Sequence, residues 1–311
     1  MKNCIGIDIS KNTFDIHFLS GSSDHHIDYT PENIQKTVMM CRAAEPELIV
    51  TEATGGYELP LVEELYAAGL PVAVVNPARI RNFAKAAGQT AKTDKIDARI
   101  IARFAAVMEP PVRNAQDGTS FKIRALVVRK RQLTDMRTAE KNRTEHIRDE
   151  FIEQSILTVI SAFEAQIRQI GDRIRDLIAS SPELKQKTEL IQSVPGIGEN
   201  TASALVSGLP EIGTLNRREI AALTGTAPVN RDSGQFRGKR MTGGGRGEIR
   251  SLMHMPTLAA IRHNPVIRKY YQRLVSAGKI KMVAVTACMR KLIVIVNSMV
   301  AKNEVWSPKT S

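Results

Sequence analysis

From Ser120 to Ala179 the chain runs without a proline and with a single glycine, Gly171. Charged residues are mixed there with Leu, Ile and Val at helical spacing, which reads as two long antiparallel helices, a coiled-coil-like hairpin. Its first arm carries Arg124, Arg129, Arg131, Arg137 and Arg143. These either lie along phosphates or form an ordinary solvated face. The run holds more apolar positions than a short hairpin buries by itself, so a partner subunit is expected.

The segments on either side have a different grain. In residues 1–108, Cys4–Ile9, Phe14–Leu19, Leu48–Thr51 and Val72–Val75 have strand character, and Ile27–Tyr29 adds a further short one. Helical patterns from Pro31 to about Arg42 and from Tyr57 to Ala68 lie between them. A meander followed by strand–helix alternation predicts an α/β domain with a mixed sheet. Pro110 and Pro111 break that pattern, so residues 109–185 are assigned to the helical hairpin and 186–311 to a mainly helical C-terminal domain. Lys281 to Val300 is apolar, but Arg290 and Lys291 stand at its centre, which argues against a membrane span.

The 311 residues include 44 Lys and Arg against 32 Asp and Glu, a formal charge of +12. A pI near 9.8 points to a polyanionic partner, with nucleic acid ahead of membrane. Cys4, Cys41 and Cys288 have no metal-type spacing and read as small buried hydrophobes in a reducing compartment. Asp8 and Lys11 interrupt any signal-peptide core, so the expectation is a soluble, cytoplasmic protein.

Asp8 is the anomaly of the first strand, a carboxylate among Ile5, Ile7 and Ile9. Burying it is costly unless a cation or a hydrogen-bond donor meets it. Three further acids invite the same question. Glu52 follows the strand Leu48–Thr51, and Asp94 and Asp97 stand three apart, on one face of a helical pattern. Converging carboxylates need a neutralising cation, and hard oxygen donors suit Mg²⁺ or Mn²⁺, which assist phosphoryl transfer. Asp94 as a helix cap and Asp97 at the dipole end are the structural alternatives.

Two segments of the C-terminal domain add to this. Val194-Pro-Gly-Ile-Gly198 ahead of a run of small residues has the pattern of a helix-hairpin-helix, whose glycines (Gly196 and Gly198) let backbone N–H groups reach a phosphate. A tight interhelical turn has the same composition. Residues 225–247 then carry seven glycines among basic residues. Within them Ser233 has Arg231, Arg237, Lys239 and Arg240 nearby, and these four, with Arg246, Gly196 and Gly198, are assigned to nucleic-acid binding. Cations or a metal would ease formation of an alkoxide and stabilise charge on phosphorus. Asp-Ser-Gly is equally ordinary turn chemistry.

Taken in order, IGIDISK, TEATGGY, NPARIRNFAKAAGQTAKTDKIDARIIARF, SVPGIGENTA, LTGTAPVNRDSGQFRGKR and HNP resemble the DEDD-type serine transposases of insertion sequences. These are the bridge-RNA-guided recombinases, to which the pilin-gene invertase Piv is related. The resemblance covers nearly the whole chain. It implies a RuvC-like, ribonuclease-H-type N-terminal domain, a coiled-coil middle and a C-terminal transposase domain. It places a metal-binding tetrad on Asp8, Glu52, Asp94 and Asp97 and the nucleophile on Ser233. It also implies a composite site shared between subunits of a dimer or synaptic tetramer, donor and target DNA as substrates, and a structured noncoding guide RNA in a prokaryotic cell.

Three functions from different classes follow. The first is RNA-guided DNA strand exchange through a covalent phosphoserine with divalent metal. The second is a structure-selective, resolvase-like nuclease in which carboxylates activate water and Ser233 is a turn residue. The third is a catalytically silent nucleic-acid-binding protein.

Overall fold

The computed structural model describes residues 2–88, 94–112, 118–144, 147–230, 232–233, 236–238 and 241–308. The side chains of residues 94–96, 118, 232, 233, 236 and 237 are outside that description. The chain divides into two compact units, residues 1–121 and 122–311.

In the first unit, β1 (Cys4–Ile9), β2 (Thr13–Phe18) and β3 (Ser23–Asp28) form an antiparallel meander. After α1 (Pro31–Ala43) the chain returns as β4 (Leu48–Glu52), parallel to β1, and after α2 (Leu59–Ala67) as β5 (Val72–Val75), parallel to β4. The sheet order is β3-β2-β1-β4-β5. Two helices complete the unit, α3 (Pro77–Ala86) and α4 (Asp94–Met108). Thr30 caps α1 and Asn76 caps α3, each followed by a proline at the first helical position.

Side chains alternate across a strand, and β1 uses this to serve two cores. Ile5, Ile7 and Ile9 pack with Ile34, Val38, Leu61 and Leu65 of α1 and α2. Cys4 lies in the opposite core with Val50, Ile100, Ile101 and Phe104, under α4. Asp8 shares the Cys4 side, and Glu52 shares the Val50 side of β4. The carboxylate in the isoleucine run therefore faces α4 and leaves the apolar core of α1 and α2 intact.

The second unit holds most of α5 (Gly118–Thr144), then α6 (Glu150–Ala179), α7 (Pro182–Gln192), α8 (Glu199–Gly208) and α9 (Arg217–Leu223). Lys141 meets Glu164 at 2.9 Å, while Lys130, further back along α5, lies over Gly171, further forward along α6. The two helices are therefore antiparallel, as the sequence predicts. Then come β6 (Pro228–Val229), β7 (Asp232–Ser233), β8 (Phe236–Arg237) and β9 (Met241–Thr242). Helices α10 (Gly247–Leu252), α11 (His254–His263), α12 (Pro265–Ser276) and α13 (Lys281–Lys302) follow.

Helix α13 is apolar enough to cross a membrane by length and composition. Here it is the central helix of the second core, burying Cys288, Leu292, Ile293 and Val296 against α7, α9, α11 and α12. The buried Asn297 side chain accepts from the Gly213 N–H (2.8 Å) and donates to the Leu215 carbonyl (2.7 Å), which ties the loop before α9 to it. All three cysteines are free and buried. Burial pushes the Cys41 thiol up to about 12 and Cys288 to about 11, so neither is a ready nucleophile.

Candidate active site

Asp8 and Glu52 lie at one end of the first sheet. Ile7 of β1 pairs with Thr51 of parallel β4, so Asp8 and Glu52 each stand one step beyond that pair, on adjacent strands and on the same face. Both are half-buried. Asp97 lies on α4, half-buried, and the backbone of Asp94 begins that helix. The side chain of Asp94 lies outside the described residues.

Gly6 explains why α4 can come so near. A Cβ on Gly6 would stand 2.2 Å from the Ala98 carbonyl oxygen and 2.3 Å from the Ala102 nitrogen. Any side chain there would push the helix away from the strand. The glycine thus sets Ala98, and with it neighbouring Asp97, two residues before Asp8 in β1. Its signal lay in the sequence, as the small residue among β-branched ones in IGIDI, but its cause is a contact made nearly a hundred residues later.

A second device fixes the same helix. Arg99 Nε donates to both carboxylate oxygens of Asp24 on β3 at 3.1 Å, and Arg99 Nη2 donates to Oδ2 as well. The buried His17 on β2 donates from Nδ1 to Asp24 Oδ1 at 2.7 Å. The Arg99 guanidinium, with His17 beside it, holds the Asp24 carboxyl well below the usual range against the opposing effect of burial. Next along the sheet, Asp15 is the cross-strand partner of Asp8. It is buried and accepts from His26 Nδ1 at 2.9 Å. Strand pairing brings Asp15, His17, Asp24 and His26 together, and nothing in their sequence spacing signals it.

Carboxylate oxygens at the ends of adjacent strands are the donor chemistry that Mg²⁺ or Mn²⁺ takes, and Asp8 and Glu52 fit it. Among the described residues, no group of three or more His, Cys, Asp or Glu is placed to hold an ion.

Ser233 lies in the second unit, in the two-residue strand β7. It pairs with Phe236, and Asp232 pairs with Arg237. Further from the tip, Val229 pairs with Met241 and Pro228 with Thr242. The two ladders are nested in sequence, with Ser233 in the inner pair. The side chains of Ser233 and Arg237 lie outside the described residues, as do Arg231, Lys239 and Arg240 altogether.

The chain just after these ladders is closely packed. A Cβ on Gly245 would lie 2.4 Å from the Ala222 carbonyl and 2.6 Å from the Gly225 nitrogen, at a φ of +60° that favours glycine. Arg246 donates to the Gly208 carbonyl (2.9 Å) and, through both terminal nitrogens, to Glu211. Its charge is satisfied inside the domain, which gives it a structural task beside the nucleic-acid role expected from sequence.

The Val194–Gly198 turn separates its two glycines. Gly196 has φ +104°, and a Cβ there would stand 2.5 Å from the Ala260 nitrogen of α11. Its missing side chain serves packing. Gly198 is exposed, with nothing within 4 Å of a Cβ built on it, and it caps the N-terminus of α8. Beside it, Arg175 Nη1 meets Glu199 at 3.2 Å.

Residues 5–152 match a family model described as transposase, of the DEDD type of IS110. Residues 188–272 match a second, described as the transposase IS116/IS110/IS902 family. The chain is 30% identical to a pilin gene-inverting protein of Moraxella lacunata and 29% identical to one of Moraxella bovis. Each alignment covers 97% of this chain and 97% of the relative. An insertion element IS900 uncharacterized 42 kDa protein of Mycobacterium paratuberculosis is 28% identical over 51% of this chain and 41% of its own length.

Proposed function

Because the chain belongs to the IS110 family of DEDD transposases, we propose that it cuts and rejoins DNA through a covalent phosphoserine on Ser233. The observation that carries the reading is the placement of Asp8 and Glu52 one step beyond the Ile7–Thr51 pair, at the ends of two adjacent parallel strands, with α4 seated on β1 through Gly6. The sheet order, with its antiparallel meander and two parallel returns, supports a RuvC-like, ribonuclease-H-type domain at residues 1–108. The hairpin over 109–185 and the transposase domain over 186–311 complete the proposed division.

Asp8, Glu52, Asp94 and Asp97 would hold Mg²⁺ or Mn²⁺. When bound, such an ion neutralises charge that develops on phosphate oxygens. Ser233 Oγ forms a bond to phosphorus as it gives up its proton. One bridging P–O bond breaks, and the released deoxyribose hydroxyl takes a proton. The phosphodiester energy is kept in the serine ester, and attack by another strand's hydroxyl reverses the step and frees the serine.

The partners proposed are donor and target DNA and a structured noncoding guide RNA, in the cytoplasm of a prokaryotic cell. Base pairing to a guide would supply sequence while the protein holds phosphates. Exposed Phe151, Ile152 and Leu157 at the start of α6 support a homo-oligomer, a dimer or a synaptic tetramer, in which carboxylates of one subunit serve Ser233 of another.

Asp8→Asn and Glu52→Gln test the reading. Each removes one metal-binding oxygen charge and leaves the basic surface in place. Strand cleavage in Mg²⁺ should be lost while nucleic-acid binding persists; wild-type recombination by either variant would refute the tetrad.

A further inference from the structure

Between Glu248 and Glu304 the sequence contains ten Lys and Arg residues and no Asp or Glu. That span builds α11, α12 and α13 of the second unit. The formal charge of the whole chain is +12, so nearly all of its excess is concentrated in one part of one domain. Ser233 lies outside this span.

The folded helices sort these charges onto a surface. Along α12, Ile267 is buried and Val266, Tyr270, Tyr271, Leu274 and Val275 are half-buried, while Arg268, Lys269, Gln272 and Arg273 are exposed. The exposed positions recur at helical spacing and form one continuous stripe. A solvent-facing stripe normally mixes both signs of charge. This one has three cations and no carboxylate.

Tyr270 draws a fourth cation in from the neighbouring helix. The Arg273 guanidinium lies 5.1 Å from the Tyr270 ring centroid, and Lys291 Nζ of α13 lies 5.2 Å from the same centroid. Both charges therefore sit within roughly one Debye length (~10 Å at 0.1 M salt) of each other. Among the described residues, no ion pair joins Arg268, Lys269, Arg273 or Lys291 to a carboxylate. Two arginines elsewhere in the second unit show a contrast. Arg175 is paired with Asp172 and Glu199, and Arg246 is paired with Glu211. Like charges held together on an aromatic shelf repel one another until a polyanion crosses them.

We propose that the stripe Arg268–Lys269–Arg273, with Lys291, is a docking surface for the phosphate backbone of duplex DNA. The inference rests on the reading that this chain acts on DNA. A polyanion is the partner that an acid-free surface fits, and duplex DNA carries one charge per ~1.7 Å of axis. The contacts are to phosphate, so they position the duplex without reading its sequence.

The test is the salt dependence of binding to a labelled DNA duplex of arbitrary sequence, by the full chain and by the triple variant Lys269→Gln, Arg273→Gln, Lys291→Gln. Each lost phosphate contact lowers the slope of log K against log salt by about one. The variant should melt with the wild type, show a slope smaller by about three and bind every duplex more weakly. Lys269→Arg with Arg273→Lys and Lys291→Arg should restore the slope. An unchanged slope in the glutamine variant, with wild-type binding and cleavage intact, would overturn the docking surface and leave the recombinase reading standing. A slope that falls for an RNA duplex and not for DNA would also overturn it. A wild-type chain that neither binds nor cuts DNA would sink both.

Discussion

Gly6 of β1 lies against Ala98 of α4 so closely that a Cβ on the glycine would be 2.2 Å from the alanine carbonyl oxygen. That contact decides how near Asp97 can come to Asp8. Gly6→Ala should therefore cost about 1–3 kcal/mol of stability through overpacking, and should reduce strand cleavage beyond what the stability loss accounts for. Thermal unfolding and cleavage at a temperature where the variant remains folded separate the two effects. Wild-type cleavage by a folded Gly6→Ala would show that the close approach does not matter to the site.

The second prediction concerns acid. Asp24 is held below its ordinary value of 3.8 by Arg99 and then by His17. A depressed carboxylate contributes stability that is fully present above the unfolded value and is lost as pH falls below it. The wild type should therefore lose stability from ~pH 4 downward, and Asp24→Asn should be less stable at neutral pH but flatter across that window. Denaturant unfolding at several pH values measures both. Parallel pH profiles would mean that the ion pair contributes nothing to the folded state.

Much of this could be read from the chain. Strands Cys4–Ile9 and Val72–Val75 have the same ends in sequence pattern and in structure. Thr30–Pro31 and Ser181–Pro182 begin helices, as a capping residue before proline should. The remainder was hidden in two ways, by local signals with two readings and by distant partners. α3 begins at Pro77 with Asn76 as its cap, yet Asn76–Pro77 also reads as the close of a strand. The β7–β8 pair is hidden in glycine-rich sequence that has no alternation to show. Asp24 and Arg99 are 75 residues apart, and only the packing of α4 across the sheet joins them.

A third prediction contrasts two glycines of one motif. Gly196→Ala forces a Cβ into a left-handed backbone and to within 2.5 Å of the Ala260 nitrogen, so it should destabilise the protein by about 1–3 kcal/mol. Gly198→Ala meets open space and should change stability by less than ~0.5 kcal/mol. If Gly198 admits a phosphate to the α8 N-terminus, its variant should weaken nucleic-acid binding without a change in melting temperature. Equal melting of the two variants would contradict the packing role of Gly196.

The central claim is that Ser233 becomes bonded to DNA. Labelled substrate incubated with wild-type protein and with Ser233→Ala, in Mg²⁺ and with the cognate guide RNA, is run on a denaturing gel. The alanine variant should fold, because truncating a serine in a two-residue strand removes one hydroxyl and no apolar packing. The account predicts a slow-migrating protein–DNA band with the wild type, and neither that band nor recombinant product with Ser233→Ala. An adduct formed by the alanine variant, or its cleavage of the substrate at the wild-type rate with no adduct from either protein, would contradict it.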